Sequence, residues 1–574
     1  MPFKDSGTYP LSDKDVVSFA FDDPAYDLDK PLFINPANPS EYYTYNTARL
    51  TVCQLIAGLK HAGLQPHDTV CIHSFNSLLY PLLILAILGA GGRSVGTNPS
   101  YTKAELSHSV RIAKVKFVLA EPEILSNMQD ALRENNIDLT SRLFILDTNP
   151  TQTVPPNHRS WRTLLSHGSS PWLRFNDPTT SATTVAQLYY TSGTTGLPKC
   201  AQTTHRNLTS EHQLFFESNP RSYPIRLVLA MPFFHVGIAP QVFVSVLREG
   251  RAAYIMRRFE LQPYLQYHAK YALTETFMVP PMVNSIVMSG LADESSPNYR
   301  ADCSLRTVRN GTVGAAPCSA DLQARFQRLL GAGATFSQVW GMTETTSMAM
   351  MVPWSVARGC SARKPGLETA WGSVGVPLPG NAMKLVNEAG EDVTSSGKGE
   401  LCVKGPSVVK GYFENEKATS ESWDVEGYFH TGDVIEVRPH TDPETGEEHA
   451  LCFVVERLKE LIKVRGFQVA PAELEGALTE HPDIVDAAVI GLPTRGQDGS
   501  ELPKAYIVKR EGSQITGKDV MAHMKERLAR YKQLEGGVEF VEDIPKLPSG
   551  KILKRVLREQ AKKQAQREGS VPKL

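Results

Sequence analysis

The chain has 574 residues, 41% hydrophobic and 21% charged, with 42 Gly and 39 Pro spread through it, the make-up of an ordinary folded protein too long for one compact core. At least two domains are predicted. Lys plus Arg (60) nearly cancels Asp plus Glu (61), a formal charge of -1, which removes any global electrostatic motive for nucleic acid or an anionic membrane and favours a small, locally recognised ligand.

The eight cysteines are scattered, with no C-x-x-C pair and no close Cys/His spacing of the kind a zinc site needs, so free thiols in a reducing compartment are expected. The opening MPFKDSGTYPLSDKD is polar and lacks the apolar stretch of a signal peptide. The greasiest run, LLYPLLILAILGA at 78–90, falls short of the roughly 20 residues of a membrane span and predicts a buried helix.

Residues 1–180 alternate apolar strand-like runs (69–73, 117–120, 143–147) with helix-like segments (48–62, 77–88), the rhythm of a sheet covered by helices, hence an α/β class. A second such series spans 185–350, where the strand 227–230 runs into MPFFH and the run 277–281 ends in a Pro pair; open sheets carry ligands at such strand ends. From 371 to 455 short alternating stretches with Gly and Pro punctuation (VGVPLPG, KGELCVKG, EGYFHTGD) predict a smaller β-rich subdomain. From Lys459 the alternation resumes, and 551–574 reads as a solvated basic helix and tail.

The segment YTSGTTGLPK at 190–199 follows the strand-like VAQLYY. Small hydroxyl residues between glycines present N–H and OH donors, and with a terminal Lys they suit a loop folded over phosphate oxygens. The segment is not a Walker motif, since Gly193 and Gly196 are too close together and Lys199 follows Leu197 and Pro198. Taken alone, it is equally an inert Ser/Thr/Gly loop of the common kind.

Further segments follow in order: THRNL (204–208), MPFFH (231–235), GAAP (314–317), QVWGMTET (338–345), YFHTGD (428–433), ERLKELIKVRGFQVAPAELE (456–475) and LPSGK (547–551). Together the eight segments resemble the adenylate-forming (AMP-binding) superfamily, closest to the acyl-CoA synthetase branch that includes the 4-coumarate-CoA ligases and firefly luciferases. The resemblance covers almost the whole chain. It implies a large N-terminal domain, 1–455, of two α/β sheet subdomains plus a β-rich one, and a small mobile α+β C-terminal domain, 456–574.

The activity implied is an ATP-dependent acid-thiol ligation. A carboxylate attacks the α-phosphorus of Mg-ATP to give an acyl adenylate and pyrophosphate; the thiol of CoA then displaces AMP. Carried onto this sequence, Thr191, Ser192, Gly193, Thr194, Thr195 and Lys199 look like the loop that holds the β- and γ-phosphates. Glu344 is similar to the Mg2+ ligand, a hard oxygen for a hard cation. Asp433 resembles the aspartate that binds the ribose hydroxyls, and Arg457, Lys459 and Lys463 match basic nucleotide-site and hinge positions. Gln338 and Trp340 fall in the adenine segment, Trp340 where the family usually has Tyr, and Thr343 looks like the hydroxyl on the α-phosphate. Lys551 resembles the lysine that swings in for the first step.

For the second step, Arg465 and Gly466 stand where the family has K-G beside the pantetheine tunnel, and Arg258 is a candidate for a CoA phosphate. The resemblance implies an acyl pocket made by His235, Val236, Gly237, Gly314 and Ala315, with His235 as gate, orienting group or base. Three departures bear on the acid rather than the reaction: Cys200 in place of Gly, Gly237 where aryl-acid ligases carry an aromatic residue, and the long stretch LRTVRNGTVG before GAAP. VGIAPQ after His235 lacks the acidic residue of amino-acid-activating relatives. A fatty or aryl acid of catabolism or secondary metabolism is expected.

Pro572-Lys573-Leu574 resembles a peroxisomal address, which implies a peroxisomal import receptor as partner and otherwise a cytoplasmic protein. The rivals left open are a stand-alone adenylation protein loading a carrier, a luciferase-like oxygenase and a non-catalytic nucleotide-binding member.

Overall fold

The predicted buried helix forms over Tyr80–Gly89, and every one of its residues is buried. Its Leu and Ile side chains on all faces suit a helix packed on all sides, and Pro81 sits in the first turn, where a missing N–H costs nothing. The neighbouring helix Tyr45–His61 is amphipathic and opens on a capping box made by Thr44 and Thr47. The computed structural model describes residues 9–191, 198–238, 240–352, 371–441, 446, 448–457, 460–464, 467–494, 501–528, 530–546 and 552–567.

Around this helix lies a seven-stranded sheet in the order Arg159–Ser160, Leu143–Ile145, Val115–Ala120, Thr69–His73, Arg93–Thr97, Val185–Thr191, Lys199–Thr204. Pairing is parallel until the last strand, which folds back antiparallel on Val185–Thr191. A second, nine-stranded sheet runs from Val376–Pro377 through Met350–Met351, Thr335–Trp340, Asn310–Val313, Glu275–Met278, Arg226–Leu229, Ala252–Ile255 and Phe33–Ile34 to Tyr42–Tyr43. Thr335–Trp340 and Asn310–Val313 are buried throughout, as parallel strands covered on both faces must be.

One expected strand is shorter than its apolar run. The strand ends at Met278, and Pro280 and Pro281 open the helix Pro280–Ser289. Proline lacks the N–H that a sheet ladder uses, and its fixed φ suits a first helical turn.

The β-rich part is a four-stranded antiparallel sheet in the order Ala382–Val386, Lys398–Lys404, Phe429–Thr441, Glu448–Arg457. The expected division after Val455 falls within its last strand. Beyond it, Ile462–Val464 pairs with Phe467–Val469, and a three-stranded sheet of Ile484–Pro493, Glu501–Lys509 and Gly537–Phe540 packs with the helices Pro471–Thr479, Gly517–Arg527 and Lys554–Arg567. The chain therefore follows the α/β, β-rich, α+β sequence of parts anticipated from its segments. The seven described cysteines are free thiols, and no described helix is long and apolar enough to cross a membrane.

Several histidines are locked neutral in the core. Burial pushes His73 down to about 4 and His205 and His268 down to about 3. Each group binds a proton more readily when unfolded, so stability rises with pH across the interval between folded and unfolded values. The urea unfolding midpoint is therefore expected to fall as pH drops below 6.5 and to keep falling toward 3. His268→Phe should flatten that slope; an unchanged pH dependence would mean that His268 is not held neutral.

Candidate active site

The antiparallel return of Lys199–Thr204 on Val185–Thr191 sets Thr191 directly across from Lys199, at the described ends of the 190–199 segment. Thr191 is buried and Lys199 half-buried. On its other side, Lys199–Thr204 is joined by residues 410–413: Ala201 bridges Tyr412, Lys410 N donates to Gln202 O (3.0 Å) and Phe413 N to Cys200 O (2.7 Å). This brings the Tyr412 ring under the Lys199 ammonium, 4.6 Å from Nζ to the ring centroid.

The Tyr412 hydroxyl donates to Glu344 Oε1 at 2.7 Å. Glu344 is buried, on the short helical turn Thr343–Thr345 that follows strand Thr335–Trp340, and its carbonyl accepts from Val409 N (2.9 Å). Burial and the Glu344 charge both push the Tyr412 phenol up, so it stays protonated and a donor. Lys199 and Glu344, about 145 positions apart in sequence, thus meet across one tyrosine. The sequence reading missed Tyr412; the signal was the K-G-Y run at 410–412, whose Gly411 takes a φ of +137°.

Asp433 stands on the strand Phe429–Thr441 of the four-stranded sheet. Gly432 adopts a φ of +71°, a turn that L side chains resist, and its N–H donates to Glu400 Oε1 (2.9 Å). Asp433 is buried and accepts the indole N–H of Trp340 at Oδ2 (2.9 Å). The Trp340 ring is itself buried among Ala349, Met350, Val374 and Ile435. A Tyr at this position has no indole N–H, so this particular bond to Asp433 belongs to the tryptophan. Arg457 is the backbone partner of Asp433 in the adjoining strand. Gln338 is buried and its carbonyl oxygen accepts from Cys318 N (2.8 Å), holding the end of the GAAP loop. In that loop Gly314 is buried and exposed Ala315 has a φ of +70°. Thr343 is half-buried.

His235 accepts the Gly237 N–H at Nδ1 (3.1 Å), which leaves the ring proton on Nε2. Burial pushes its pKa down to about 4, so the imidazole is neutral and offers one donor. A Cβ added at Gly237 would lie 3.2 Å from His235 Nδ1. Val236 is buried beside them. Arg258 is exposed and pairs with Glu260 (3.3 Å). Ser192, Gly193, Thr194, Thr195, Lys459, Arg465, Gly466, Lys551 and Pro572-Lys573-Leu574 lie outside the described residues, as do the side chains of Arg457 and Lys463. A groove of about 500 Å³ opens elsewhere, lined by Arg49, Cys53 and Trp172 and by none of these residues.

The buried carboxylate of Glu344, held as an acceptor beside a lysine-bearing strand end, fits Mg2+ of the kind that keeps most of its shell from water and phosphate and takes one protein oxygen. Backbone crowding fixes this corner: a Cβ at Gly341 would lie 1.6 Å from Ser347 O. Gly341→Ala is expected to lower stability by more than about 3 kcal/mol. Gly333→Ala, at a φ of +76° with nothing within 4 Å, should cost only about 1 kcal/mol, the strain of the backbone alone. Equal urea midpoints for the two variants would contradict the packing.

A family model described as AMP-binding enzyme matches residues 22–413, and one described as AMP-binding enzyme C-terminal domain matches 473–551. The phenylacetyl-CoA ligase epaB of Aspergillus niger is 40% identical over 97% of this chain and 98% of its own length. The acyl-CoA ligase azaF of the same species is 39% identical over 97% of this chain and all of its own (100%). The crystal structure of ATP-bound MatB from Rhodopseudomonas palustris superposes with a TM-score of 0.76 at 25% identity, covering 96% of this chain and 99% of that one. Lengthwise similarity to ligases, both domain matches and the converging motif residues agree: the chain belongs to the AMP-binding, adenylate-forming enzyme family, in its acyl-CoA ligase branch.

Proposed function

We propose that this enzyme joins a carboxylic acid of fatty or aryl type to CoA, through an acyl adenylate made from Mg-ATP. The observation that carries the reading is the junction at Tyr412, where the lysine ending one motif and the buried carboxylate of another meet across one phenol. Relatives named as phenylacetyl-CoA ligase and acyl-CoA ligase support the substrate class.

In the first step a carboxylate oxygen bonds to the α-phosphorus and the bond to pyrophosphate breaks. Charge on the phosphate oxygens needs fixed donors and cations in a dry site. Thr191, Ser192, Gly193, Thr194, Thr195 and Lys199 supply them around the β- and γ-phosphates, and Thr343 at the α-phosphate. Glu344 would hold Mg2+, which when bound draws charge from the phosphate oxygens. Asp433 accepts from the ribose hydroxyls, with Arg457, Lys459 and Lys463 nearby in the sequence of the site, and Lys551 bridges the carboxylate and α-phosphate. In the second step the CoA sulfur bonds to the acyl carbon, its proton passes to water, and AMP leaves with the electrons of the broken C–O bond. Arg465 and Gly466 line the thiol's path. His235, neutral and with Nδ1 engaged, orients the acid through Nε2–H rather than acting as a base.

A library of carboxylic acids assayed for CoA-dependent AMP formation tests the reading: turnover with at least one fatty or aryl acid is expected, and no AMP from any acid would overturn it. Lys551→Ala should lose pyrophosphate release by about a hundredfold or more while still converting a supplied acyl adenylate to thioester. Equal losses in both half-reactions would remove Lys551 from the first step.

Trp340→Phe deletes only the indole donor to Asp433. The loss of one buried hydrogen bond to a charged group predicts a rise of about tenfold in the KM for ATP with kcat nearly unchanged. A fall in kcat at constant KM would show that Trp340 does not work through nucleotide binding.

A further inference from the structure

Glu211 belongs to the helix His205–His212 and is 2% exposed. One oxygen, Oε1, accepts the Met348 N–H at 3.1 Å; the other, Oε2, is buried and has no hydrogen-bond partner among the described residues. Gln241, 5% exposed, opens the π-helical turn Gln241–Ser245 that follows the His235 segment, and its amide nitrogen is likewise buried and unpartnered among the described residues. These two elements pack against each other. A second π-helical turn, Gln213–Glu217, continues the Glu211 helix, and such turns recur at functional sites because they re-aim side chains.

A chain of contacts ties Glu211 to the residues proposed for the acyl pocket, and Gln241 follows those residues in the chain. Met348, which holds Glu211, follows Ser347, and the Ser347 hydroxyl donates to Gly237 O at 3.3 Å. Gly237 in turn bonds His235. Behind the residues that orient the acid, two polar ends are therefore buried without partners, an arrangement that costs stability unless something fills it. Burial holds the Glu211 carboxyl well above the usual carboxylate range, which favours the protonated form; with Oε1 taking the Met348 N–H, a proton on Oε2 makes that oxygen a donor. The Gln241 amide nitrogen is a donor too. Two unmatched donors call for an acceptor.

We propose that Glu211 and Gln241 form the polar end of the acyl pocket and select acids whose tail bears a hydrogen-bond acceptor, such as a ring nitrogen or a hydroxyl or carbonyl oxygen. This rests on the ligase reading above. A site built to hydrogen-bond a substrate group discriminates strongly against the analogue that lacks it, because its own polar atoms are then left unpaired.

Matched acids test it: nicotinate against benzoate, and 3- and 4-hydroxyphenylacetate against phenylacetate, with pyrophosphate release and thioester formation measured for wild type, Glu211→Gln, Glu211→Leu and Gln241→Leu. Wild type is expected to favour the acceptor-bearing member of at least one pair by about tenfold or more in kcat/KM. Either leucine variant should bring that ratio close to one by improving the apolar acid, while Glu211→Gln, nearly isosteric and still a donor, keeps most of it. As a second readout, the preferred acid should raise the unfolding temperature of wild type and Glu211→Gln but not of Glu211→Leu. Efficient CoA-dependent turnover of the apolar acids with no preference in any pair would overturn this proposal and leave the ligase standing. A preference unchanged in Glu211→Leu would also overturn it, as would water alone filling the polar end, seen as equal ratios in all four proteins. No turnover or binding of any acid would bring down both readings together.

Discussion

The hydrogen bond from Tyr412 to Glu344, with the Lys199 ammonium over the same ring, is the contact on which the site's layout depends. The three residues come from segments that border three different sheets and are far apart in sequence. Segment 410–413 leaves the β-rich subdomain to extend the edge of the seven-stranded sheet, and Val409 reaches the Glu344 turn at the end of the nine-stranded one. Neighbouring ties run the same way: Asn207 Nδ2 donates to Pro406 O and Val408 O, and the Thr346 hydroxyl to Ser407 O. The segment 406–413 thus works as a clamp. A buried phenol between a cation and a carboxylate separates the two charges without desolvating either completely, which is cheaper than a direct buried ion pair.

The clamp also explains why the adjoining backbone tolerates strain. Ala315, Thr346 and Ser347 all take positive φ, at +70°, +53° and +95°, each costing on the order of 1–3 kcal/mol for a non-glycine residue. Such residues persist where their surroundings over-determine them. Gly341 packs on Ser347, the Ser347 hydroxyl binds Gly237 O, and Gln338 holds the loop after Ala315 through Cys318 N. The strained positions lie between the proposed nucleotide and acyl sides, so rigidity there keeps the two reactants in a fixed relation.

Much of this was legible in the chain itself. The run of Leu and Ile at 78–90 could be little but a buried helix, and the ordered motifs marked Lys199, Glu344, Trp340 and Asp433 as parts of one site. What stayed hidden was whatever depends on tertiary pairing. Nothing in K-G-Y announces that its tyrosine will lie across strand Lys199–Thr204 from Ala201. The indole bond to Asp433 turns on a rotamer, and motif comparison showed only a larger ring. The Pro pair after Met278 was taken with its strand because apolar runs do not mark where one element stops and the next begins; the missing N–H decides it. Glu211 carries no signal in the sequence, because a glutamate in an otherwise ordinary helical stretch reads as solvated, and only its burial makes it unusual.

A division of charge follows across the site. On the nucleotide side Lys199 and Glu344 meet across Tyr412, and Asp433 is held by the Trp340 indole; these are the groups that match phosphate, cation and ribose. On the acyl side His235 and Glu211 are both driven toward their neutral forms by burial. The proposed chemistry gives this a reason. An acyl adenylate is a reactive mixed anhydride, and any free lone pair basic enough to activate water beside its carbonyl would waste it by hydrolysis. His235 has none to offer, since Nδ1 is occupied by Gly237 N–H and Nε2 carries the proton. Recognition by neutral donors therefore lets the pocket read a polar acid without supplying a base, and the thiol remains the nucleophile best able to reach the carbonyl.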